Sequence, residues 1–208
     1  MDARTRVGSV LLRPLSLADE HRYLALQLRN EDWLAPWAAT TPEDPRTRPD
    51  AAGFRASTRA LLAQARRGAS IPWLIWFAPD SPDAPEGADA SEGTGQFRLV
   101  GQLTVGPIVA GSARSTSIGY WMDEAHAGRG IMTTAVAAAI DHLFDVRGLH
   151  RVEIAIRPEN LRSLRVVEKL GLREEGLRRR CLHIGGQWAD HRIFAITAEE
   201  PRGWTLPA

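Results

Sequence analysis

Gly128 and Gly130 flank Arg129, where a short β-like run over 117–122 gives way to an amphipathic segment. A glycine loop that leaves a strand and opens a helix presents several unpaired backbone N–H groups in one concavity. The helix dipole adds partial positive charge there, so the loop predicts an anion site, most often for phosphate. The G-x-G spacing alone is weak evidence. No Walker A sequence follows, and Thr133 stands where a dinucleotide fingerprint needs a third glycine. A tight turn before a helix is the structural alternative.

Asn160 and Ser163 are three residues apart at the start of a second predicted helix, over 161–170. Residues with this spacing lie on one face of a helix. The helix follows the strand beside the glycine-loop helix, so both helix N-termini are expected at the same end of the sheet. The structural alternatives are that Asn160 only caps the helix and that Ser163 is a solvated first-turn residue.

Cysteine and histidine offer little further chemistry. Cys181 is the single cysteine, which excludes a disulfide framework within the chain and a cysteine metal cluster. No base stands near it in sequence, so we expect a buried, inert thiol rather than a nucleophile that carries an acyl group. The six histidines show no H-x-x-x-H or similar spacing, and we predict no metal site.

The periodicity of apolar residues outlines the elements that must position these groups. The pattern predicts the order β-α-α-β-β-β-α-β-α-β-β. Strands are predicted near 10–15, 72–78, 97–105, 116–122, 151–156, 177–184 and 188–197, and helices near 18–30, 50–67, 131–146 and 161–170. The β-α-β step over 117–156 requires a parallel or splayed crossover. The sequence therefore predicts a mixed α/β fold with one central sheet, in a single domain over 1–208.

Composition and charge limit the class of protein, its ligands and its location. The chain of 208 residues is 44% hydrophobic and 25% charged, an ordinary globular composition. Residues 79–96 carry five acids and no bases and are interpreted as a flexible acidic insertion; without those five, 26 Lys and Arg face 20 Asp and Glu. The body is then basic, which suits an anionic coenzyme or an RNA-associated substrate as well as a solvated Arg-rich surface. We expect no membrane segment, a reducing cytoplasmic location, and a patternless tail over 198–208.

Taken together, the motifs resemble those of the GNAT acyltransferases, which use acetyl-CoA, and more narrowly the RimJ/RimL-type branch, which acetylates N-terminal α-amines of ribosomal proteins. The residues that carry the resemblance are Ile118-Gly-Tyr-Trp-Met122, Gly128-Arg-Gly130, Asn160-Leu-Arg-Ser163, Glu168-Lys-Leu-Gly-Leu172, Glu175-Gly176 and the final hairpin over 182–191. The resemblance implies a mostly antiparallel sheet, flanked by helices and splayed at the strand before the glycine loop.

The resemblance also implies roles for individual residues in holding acetyl-CoA. Backbone N–H groups near Trp121 and Met122 would pair with the pantetheine arm and polarise the thioester carbonyl. Asn160 would hydrogen-bond the same arm, and Ser163 would protonate the leaving thiolate. The pyrophosphate would be held by the backbone N–H groups of Ala127, Gly128, Arg129, Gly130, Ile131 and Met132.

The sequence departs from the family pattern at three points, one of which, Met132-Thr133 where Pro or Ala is frequent, matters little. Ala125 stands where the loop often has Arg or Gln, which leaves Arg129 to supply the charge. Arg180 stands where some relatives have a glutamate base, so that base is not carried over. An α-amine has a pKa of about 8, so a useful neutral fraction exists without a strong base. The candidate bases are Glu31, Asp32, Tyr120 and His183.

The acceptor is the least determined part of the prediction. Residues 30–37 are predicted as a loop in which Trp33 and Trp37 either line a binding site, together with Glu31, or cover a core edge. The implied reaction is direct acetyl transfer in a ternary complex to a protein N-terminus, by a monomer or homodimer that does not bind nucleic acid directly. A small amine or antibiotic as the acceptor, and an acyl-CoA-binding module without turnover, are the alternatives.

Overall fold

A mixed sheet organises the residues that this computed structural model describes, which are 1–5, 8–43, 49–80 and 97–204. The strands are β1 (Asp2–Thr5), β2 (Gly8–Pro14), β3 (Ile71–Pro79), β4 (Arg98–Val105), β5 (Ser115–Met122), β6 (Arg151–Ile156), β7 (Arg173–Ile184) and β8 (Gln187–Thr197). The α-helices are α1 (Glu20–Arg29), α2 (Glu31–Leu34), α3 (Ala51–Arg66), α4 (Ile131–Asp141) and α5 (Leu161–Lys169). The 3₁₀ turns are Leu17–Asp19, Ala35–Trp37 and Glu124–His126, and α4 continues as a π-helical turn over His142–Val146.

The strand order is β1-β2-β3-β4-β5-β6-β8-β7. Every neighbouring pair is antiparallel except β5 and β6, which are joined through α4 and run parallel. This arrangement confirms the predicted mixed, mostly antiparallel sheet. Helices α4 and α5 pack on one face in the larger core cluster, and α1 and α3 pack on the other around Phe54, Leu74 and Trp76.

Sequence composition explains why the central elements form where they do. The residues of β3 from Pro72 to Ala78 are buried, as expected for a continuous apolar run in the middle of a sheet. Helix α4 buries Ile131, Met132 and the whole of 135–140, including four alanines. Alanine favours the helix and is small enough for close approach to the strands, so α4 is held tightly against the sheet.

The sheet opens between β5 and β6. Strand β6 pairs with β5 only over Ser115–Ser117, whereas β4 stays paired with β5 as far as Met122. The last five residues of β5 therefore have a partner strand on one side only. Helix α4 begins after the end of β5 and α5 begins after the end of β6, so both helix N-termini face this opening. The predicted splay and the shared direction of the two helix starts are confirmed.

Three elements differ from the sequence prediction. The polar segment Asp2–Thr5 forms an additional edge strand, which backbone pairing with β2 stabilises although it has no apolar pattern. Residues 30–37, predicted as a loop, form α2 and a 3₁₀ turn, because α2 is held against the end of β5 by contacts that are distant in sequence. Strand β7 begins at Arg173, four residues before its predicted start.

The acidic insertion and the tail are only partly within the described residues. Residues 81–96 of the predicted insertion lie outside them, while Pro79 ends β3 and Asp80 lies 3.8 Å from Arg4. Residues 205–208 of the tail also lie outside. The described part of the tail packs on α4, where Arg202 donates to Asp141 at 2.7 Å. Within the described ranges, no helix has the length and apolarity needed to cross a membrane.

Candidate active site

A cleft of about 220 Å³ lies at the opening between β5 and β6. It brings together the end of β5, the glycine loop, the first turns of α4 and α5, and the α2 segment, although these are separated by up to 130 residues in the chain. Of the fourteen residues predicted for the site, eleven line the cleft. They are Trp33, Trp37, Tyr120, Trp121, Met122, Ala127, Gly128, Gly130, Met132, Asn160 and Ser163.

The glycine loop has the backbone conformation that an anion cradle requires. Gly128 and Gly130 have φ values of 80° and 83°, in the left-handed region that favours glycine. Gly130 is the N-cap of α4, whose first turn closes with the bond from Thr134 N–H to the Gly130 carbonyl. The N–H groups of Ile131, Met132 and Thr133 therefore have no acceptor within the helix. The side chain of Ile131 is buried, so only its backbone can serve a ligand.

Strand alternation decides which backbone groups of β5 face the opening. Asp123 N–H donates to Val100 (2.8 Å) and the Ser117 carbonyl accepts from Gly106 (2.9 Å), so the odd-numbered residues bond to β4. In an antiparallel pair the next residue directs its N–H and C=O to the other side. The backbone groups of Tyr120 and Met122 therefore point into the opening, and those of Trp121 do not.

The side chain of Trp121 lies on the face of the sheet opposite to the side chains of Tyr120 and Met122. Its Nε1 lies 3.4 Å from Oε1 of Gln102, and its ring makes an edge contact with Tyr23 at 5.5 Å. Gln102 in turn accepts a 2.7 Å hydrogen bond from the Tyr23 hydroxyl. Burial raises the pKa of Tyr23 to about 12, so its hydroxyl remains a donor. This network fixes the face of β5 opposite to the one that carries Tyr120 and Met122.

Asn160, Ser163 and Tyr120 meet at the start of α5. Oδ1 of Asn160 accepts the Ser163 N–H at 3.1 Å, so the capping role is present. The Tyr120 hydroxyl donates to the Ser163 carbonyl at 3.4 Å. Burial raises the pKa of Tyr120 well above 10, which keeps the phenol protonated and makes it a donor rather than a base. The half-buried side chain of Ser163 lies on the cleft wall.

The α2 segment forms the opposite wall. Trp33 donates from Nε1 to the Met122 carbonyl at 3.0 Å, which ties α2 to the end of β5. The Arg162 guanidinium lies 4.3 Å from the centre of the Trp33 ring, and that of Arg157 lies 5.6 Å from Trp37. These cation–π contacts hold both tryptophans at the cleft. Trp33 and Trp37 thus line the candidate site, the less common of their two predicted roles.

The remaining predicted residues lie elsewhere. The side chains of Glu31 and Arg129 do not line the cleft, and Arg129 is exposed on the loop. Among the candidate bases, Asp32 is exposed on α2, and His183 lies on the β7–β8 hairpin, where Nδ1 is 2.8 Å from Oγ1 of Thr40. Burial raises the pKa of the half-buried Cys181 thiol, which keeps it protonated.

Sequence reasoning missed a row of cationic side chains on α5. Arg162, Arg165 and Lys169 line the cleft. Their spacing of three, then four residues places them on one face of the helix. Since the sequence already placed Ser163 at the cleft, the helical spacing of these three cations beside it could have predicted that they face the cleft. Together with the N-terminus of α4, they make the cleft strongly attractive to an anion.

The described lining of the cleft contains no aspartate, glutamate or histidine. A ligand with phosphate groups therefore meets N–H donors, cations and hydroxyls, with no negatively charged side chain in the described lining. This donor set fits the phosphates of coenzyme A, and the free Met122 N–H suits a thioester carbonyl. An ammonium ion, by contrast, finds no counter-ion among these side chains.

Comparison with known proteins agrees with this geometry. The family described as "Acetyltransferase (GNAT) domain" matches residues 9–173. The chain belongs to the GNAT acetyltransferase family. It is accordingly an N-acetyltransferase that uses acetyl-CoA, as the family does.

Several members of this family resemble the chain over nearly its full length. The probable N-acetyltransferase YjcK of Bacillus subtilis is 31% identical over 90% of this chain and 93% of its own. The [ribosomal protein uS5]-alanine N-acetyltransferase of Escherichia coli is 25% identical over 97% of this chain and 93% of its own. The structure of Mycobacterium smegmatis RimJ in complex with CoA-disulfide superimposes with a TM-score of 0.80 at 36% identity, covering 96% of this chain and 87% of that one.

Proposed function

We propose that this GNAT acetyltransferase transfers the acetyl group of acetyl-CoA to the N-terminal α-amine of a protein, of the ribosomal-protein type, by direct attack in a ternary complex. The observation that carries the choice of amine is the cationic cleft lining, which holds no carboxylate or imidazole among the described residues. The names of relatives support the protein class. One similar enzyme is named for the alanine of ribosomal protein uS5, and a similar structure is RimJ.

The donor half of the reaction is assigned to backbone groups. The N–H groups from Gly128 to Met132 hold the pyrophosphate, as expected for a loop that opens a helix. The predicted role of the Ala127 N–H is withdrawn, because that group donates to the Glu124 carbonyl at 2.9 Å. The Met122 N–H donates to the thioester carbonyl, where negative charge develops as the amine attacks. Ser163 passes to the leaving thiolate the proton that the amine nitrogen loses, so that the C–N bond forms as the C–S bond breaks and the CoA thiol leaves; the amide of Asn160 holds the pantetheine arm.

The acceptor half follows from charge. Without a base in the cleft, the amine must arrive as the neutral form, and the cations of α5 oppose its protonated form. An α-amine with a pKa of about 8 is roughly 10% neutral at pH 7, whereas a lysine amine with a pKa of about 10.4 is about 0.04% neutral. At pH 7 an α-amine therefore presents roughly 200 times as much of the neutral form as a lysine side chain does, before any contact with the cleft is counted. Trp33 and Trp37 form the wall along which the acceptor lies.

The acceptor class is tested with matched peptides that carry the N-terminal sequences of ribosomal proteins. Each is prepared with a free N-terminus, with a blocked N-terminus and an internal lysine, and with both amines free, and thiol release from acetyl-CoA is followed. We expect turnover only where the N-terminus is free, with a rate that rises with pH through the pKa of the α-amine. Turnover of the blocked, lysine-containing peptide would contradict the proposal.

The same assay distinguishes the other functions. Turnover of small amines with none for any peptide would support a small-molecule acetyltransferase, and CoA binding without turnover of any amine would support a binding module. Mass spectrometry of ribosomal proteins from a deletion strain then identifies the acceptor, as the protein whose N-terminus loses an acetyl group.

The assignment of Ser163 is tested separately. Ser163→Ala should lower turnover by at least tenfold while CoA affinity changes little, because the hydroxyl acts on the leaving group rather than on binding. Ser163→Thr retains a hydroxyl and is the matched control. Equal losses of turnover and CoA affinity in Ser163→Ala would contradict the role.

A further inference from the structure

Asp123 is a buried carboxylate directly after Met122, and its side chain is not part of the cleft lining. Its Oδ2 accepts hydrogen bonds from Nη2 of Arg29 at 2.9 Å and from Nδ1 of His126 at 2.6 Å. Its Oδ1 accepts from Nδ2 of Asn30 at 2.8 Å. A buried carboxylate needs such donors, since desolvation penalises its charge.

The charge of this carboxylate persists across the range of an enzyme assay. Burial alone raises the pKa of Asp123, but the hydrogen bonds from His126 and Asn30 and the positive charge of Arg29 outweigh burial and hold the pKa at about 2. The carboxylate is therefore ionised at neutral pH, and its three donors are bound to a fixed negative charge.

The donors come from two different walls of the cleft. Arg29 ends α1, and Asn30 stands between α1 and α2, the helix that carries Trp33. Asn30 strengthens this junction, since its Oδ1 accepts the Glu124 N–H at 2.9 Å. His126 ends the 3₁₀ turn from which the glycine loop leaves, and its own N–H bonds back to the Asp123 carbonyl at 3.2 Å.

We propose that Asp123 is a positioning residue that holds the acceptor wall, through Arg29 and Asn30, and the donor loop, through His126, at a fixed separation across the end of β5. The inference rests on the proposed function, because it takes the loop as the CoA site and the Trp33 wall as the acceptor site. Attack on the thioester requires both substrates to be placed within a fraction of an ångström, and misplacement by 1 Å can cost about a hundredfold in rate.

If Asp123 had a purely structural role, its loss would lower stability without affecting CoA binding and acceptor binding separately. The test therefore removes the hydrogen bonds on one side of Asp123 at a time. Arg29→Met removes the hydrogen bond from the acceptor-wall side to Asp123; because the Arg29 side chain is 61% exposed, we expect the variant to fold. His126→Leu removes the hydrogen bond from the donor-loop side to Asp123. Arg29→Lys and His126→Asn each restore a donor and serve as rescue variants. Asp123→Asn weakens the hydrogen bonds on both sides at once.

The measurements are the Kd for CoA alone, by titration calorimetry, and the acceptor KM and kcat. We expect Arg29→Met to raise the acceptor KM by about fivefold or more and to leave the CoA Kd within about twofold. We expect His126→Leu to raise the CoA Kd by about fivefold or more and to leave the acceptor KM within about twofold. Asp123→Asn should raise both constants and lower kcat by about tenfold or more. The rescue variants should return each constant toward that of the unaltered protein.

Asp141→Asn is the matched control, since it makes the same carboxylate-to-amide change at the end of α4, where Asp141 bonds Arg202 and Trp204 away from the cleft. We expect it to lower the melting temperature and leave all three kinetic and binding constants unchanged. If Asp123→Asn behaves like Asp141→Asn, or if Arg29→Met and His126→Leu raise the same constant, the positioning role is overturned.

The CoA titration separates this inference from the proposed function. If no peptide is acetylated, the acceptor constants are measured with whichever amine is turned over. If no amine is turned over, the decision rests on CoA alone. An unchanged CoA Kd in both His126→Leu and Asp123→Asn then overturns the positioning role. A raised Kd that His126→Asn restores supports it, even though the acceptor assignment has failed.

Discussion

Gly101 on β4 lies close to the backbone of β5, at the end of β5 that carries Met122. A Cβ added to Gly101 would lie 2.4 Å from the Trp121 carbonyl oxygen and 3.1 Å from Cα of Met122. Both are backbone atoms and cannot rotate away. To reach an ordinary contact of 3.4 Å, β5 must move by about 1 Å, from the difference of the two distances. Gly101→Ala therefore displaces the residue whose N–H is assigned to the thioester carbonyl.

Two effects of different size are expected from this displacement. Overpacking of a tight interior contact costs about 1–3 kcal/mol of unfolding free energy. Misplacement of a catalytic donor by about 1 Å costs up to about a hundredfold in turnover. Denaturant unfolding measures the first and thiol release at saturating acetyl-CoA measures the second. The loss of turnover should persist at temperatures where the variant is fully folded.

Gly119→Ala is the control for Gly101→Ala, because Gly119 lies on β5, the strand that Gly101→Ala would displace, and a Cβ there meets no atom within 4 Å. It should retain turnover and lose little stability. The reasoning is refuted if the two alanine variants have the same turnover, since the close approach at Gly101 would then have no part in placing the end of β5.

Three further predictions concern single contacts. Trp33→Phe removes the donor to the Met122 carbonyl but keeps a ring beneath Arg162, so we expect a loss of about 1 kcal/mol in stability and a raised acceptor KM, with CoA affinity unchanged in calorimetry. Asn160→Ala removes the α5 cap and should cost about 1 kcal/mol by denaturant unfolding, whereas Asn160→Asp, which retains a capping oxygen, should not. The lowered pKa of Asp123 adds roughly 2 kcal/mol to the free energy of unfolding above about pH 4, and this contribution is lost as the pH falls toward 2. The difference in unfolding free energy between the unaltered protein and Asp123→Asn should therefore shrink over that pH range.

Local signals account for the parts of the site that the sequence predicted. Glycines with positive φ, a helix that begins at Gly130 and an Asn160 cap three residues before Ser163 all depend on neighbours within one or two turns. The apolar alternation of 151–156 and the alanine-rich face of α4 are equally local. These features could be read without knowing which strands pair, because each element carries its own boundary residues.

Contacts between distant residues explain what the sequence prediction missed. The segment 30–37, with Pro36 and two tryptophans, is predicted as a loop, yet α2 is held in place by Trp33 and Asn30, which bond to residues 89 and 93 positions away. The Asp123 network has no sequence signature, since Arg29 and Asn30 join it only when α1 packs at the end of β5.

The sequence by itself determined the family pattern, the glycine loop and the two helix starts, because glycine, capping residues and apolar periodicity act over a few residues. Only the tertiary structure decided that Met122 rather than Trp121 directs its N–H into the opening, since this depends on the register of β5 against β4. It alone decided that Arg162, Arg165 and Lys169 face the cleft and that Glu31 does not. Register and helix rotation are set by packing across the whole sheet, which no local segment of the chain encodes.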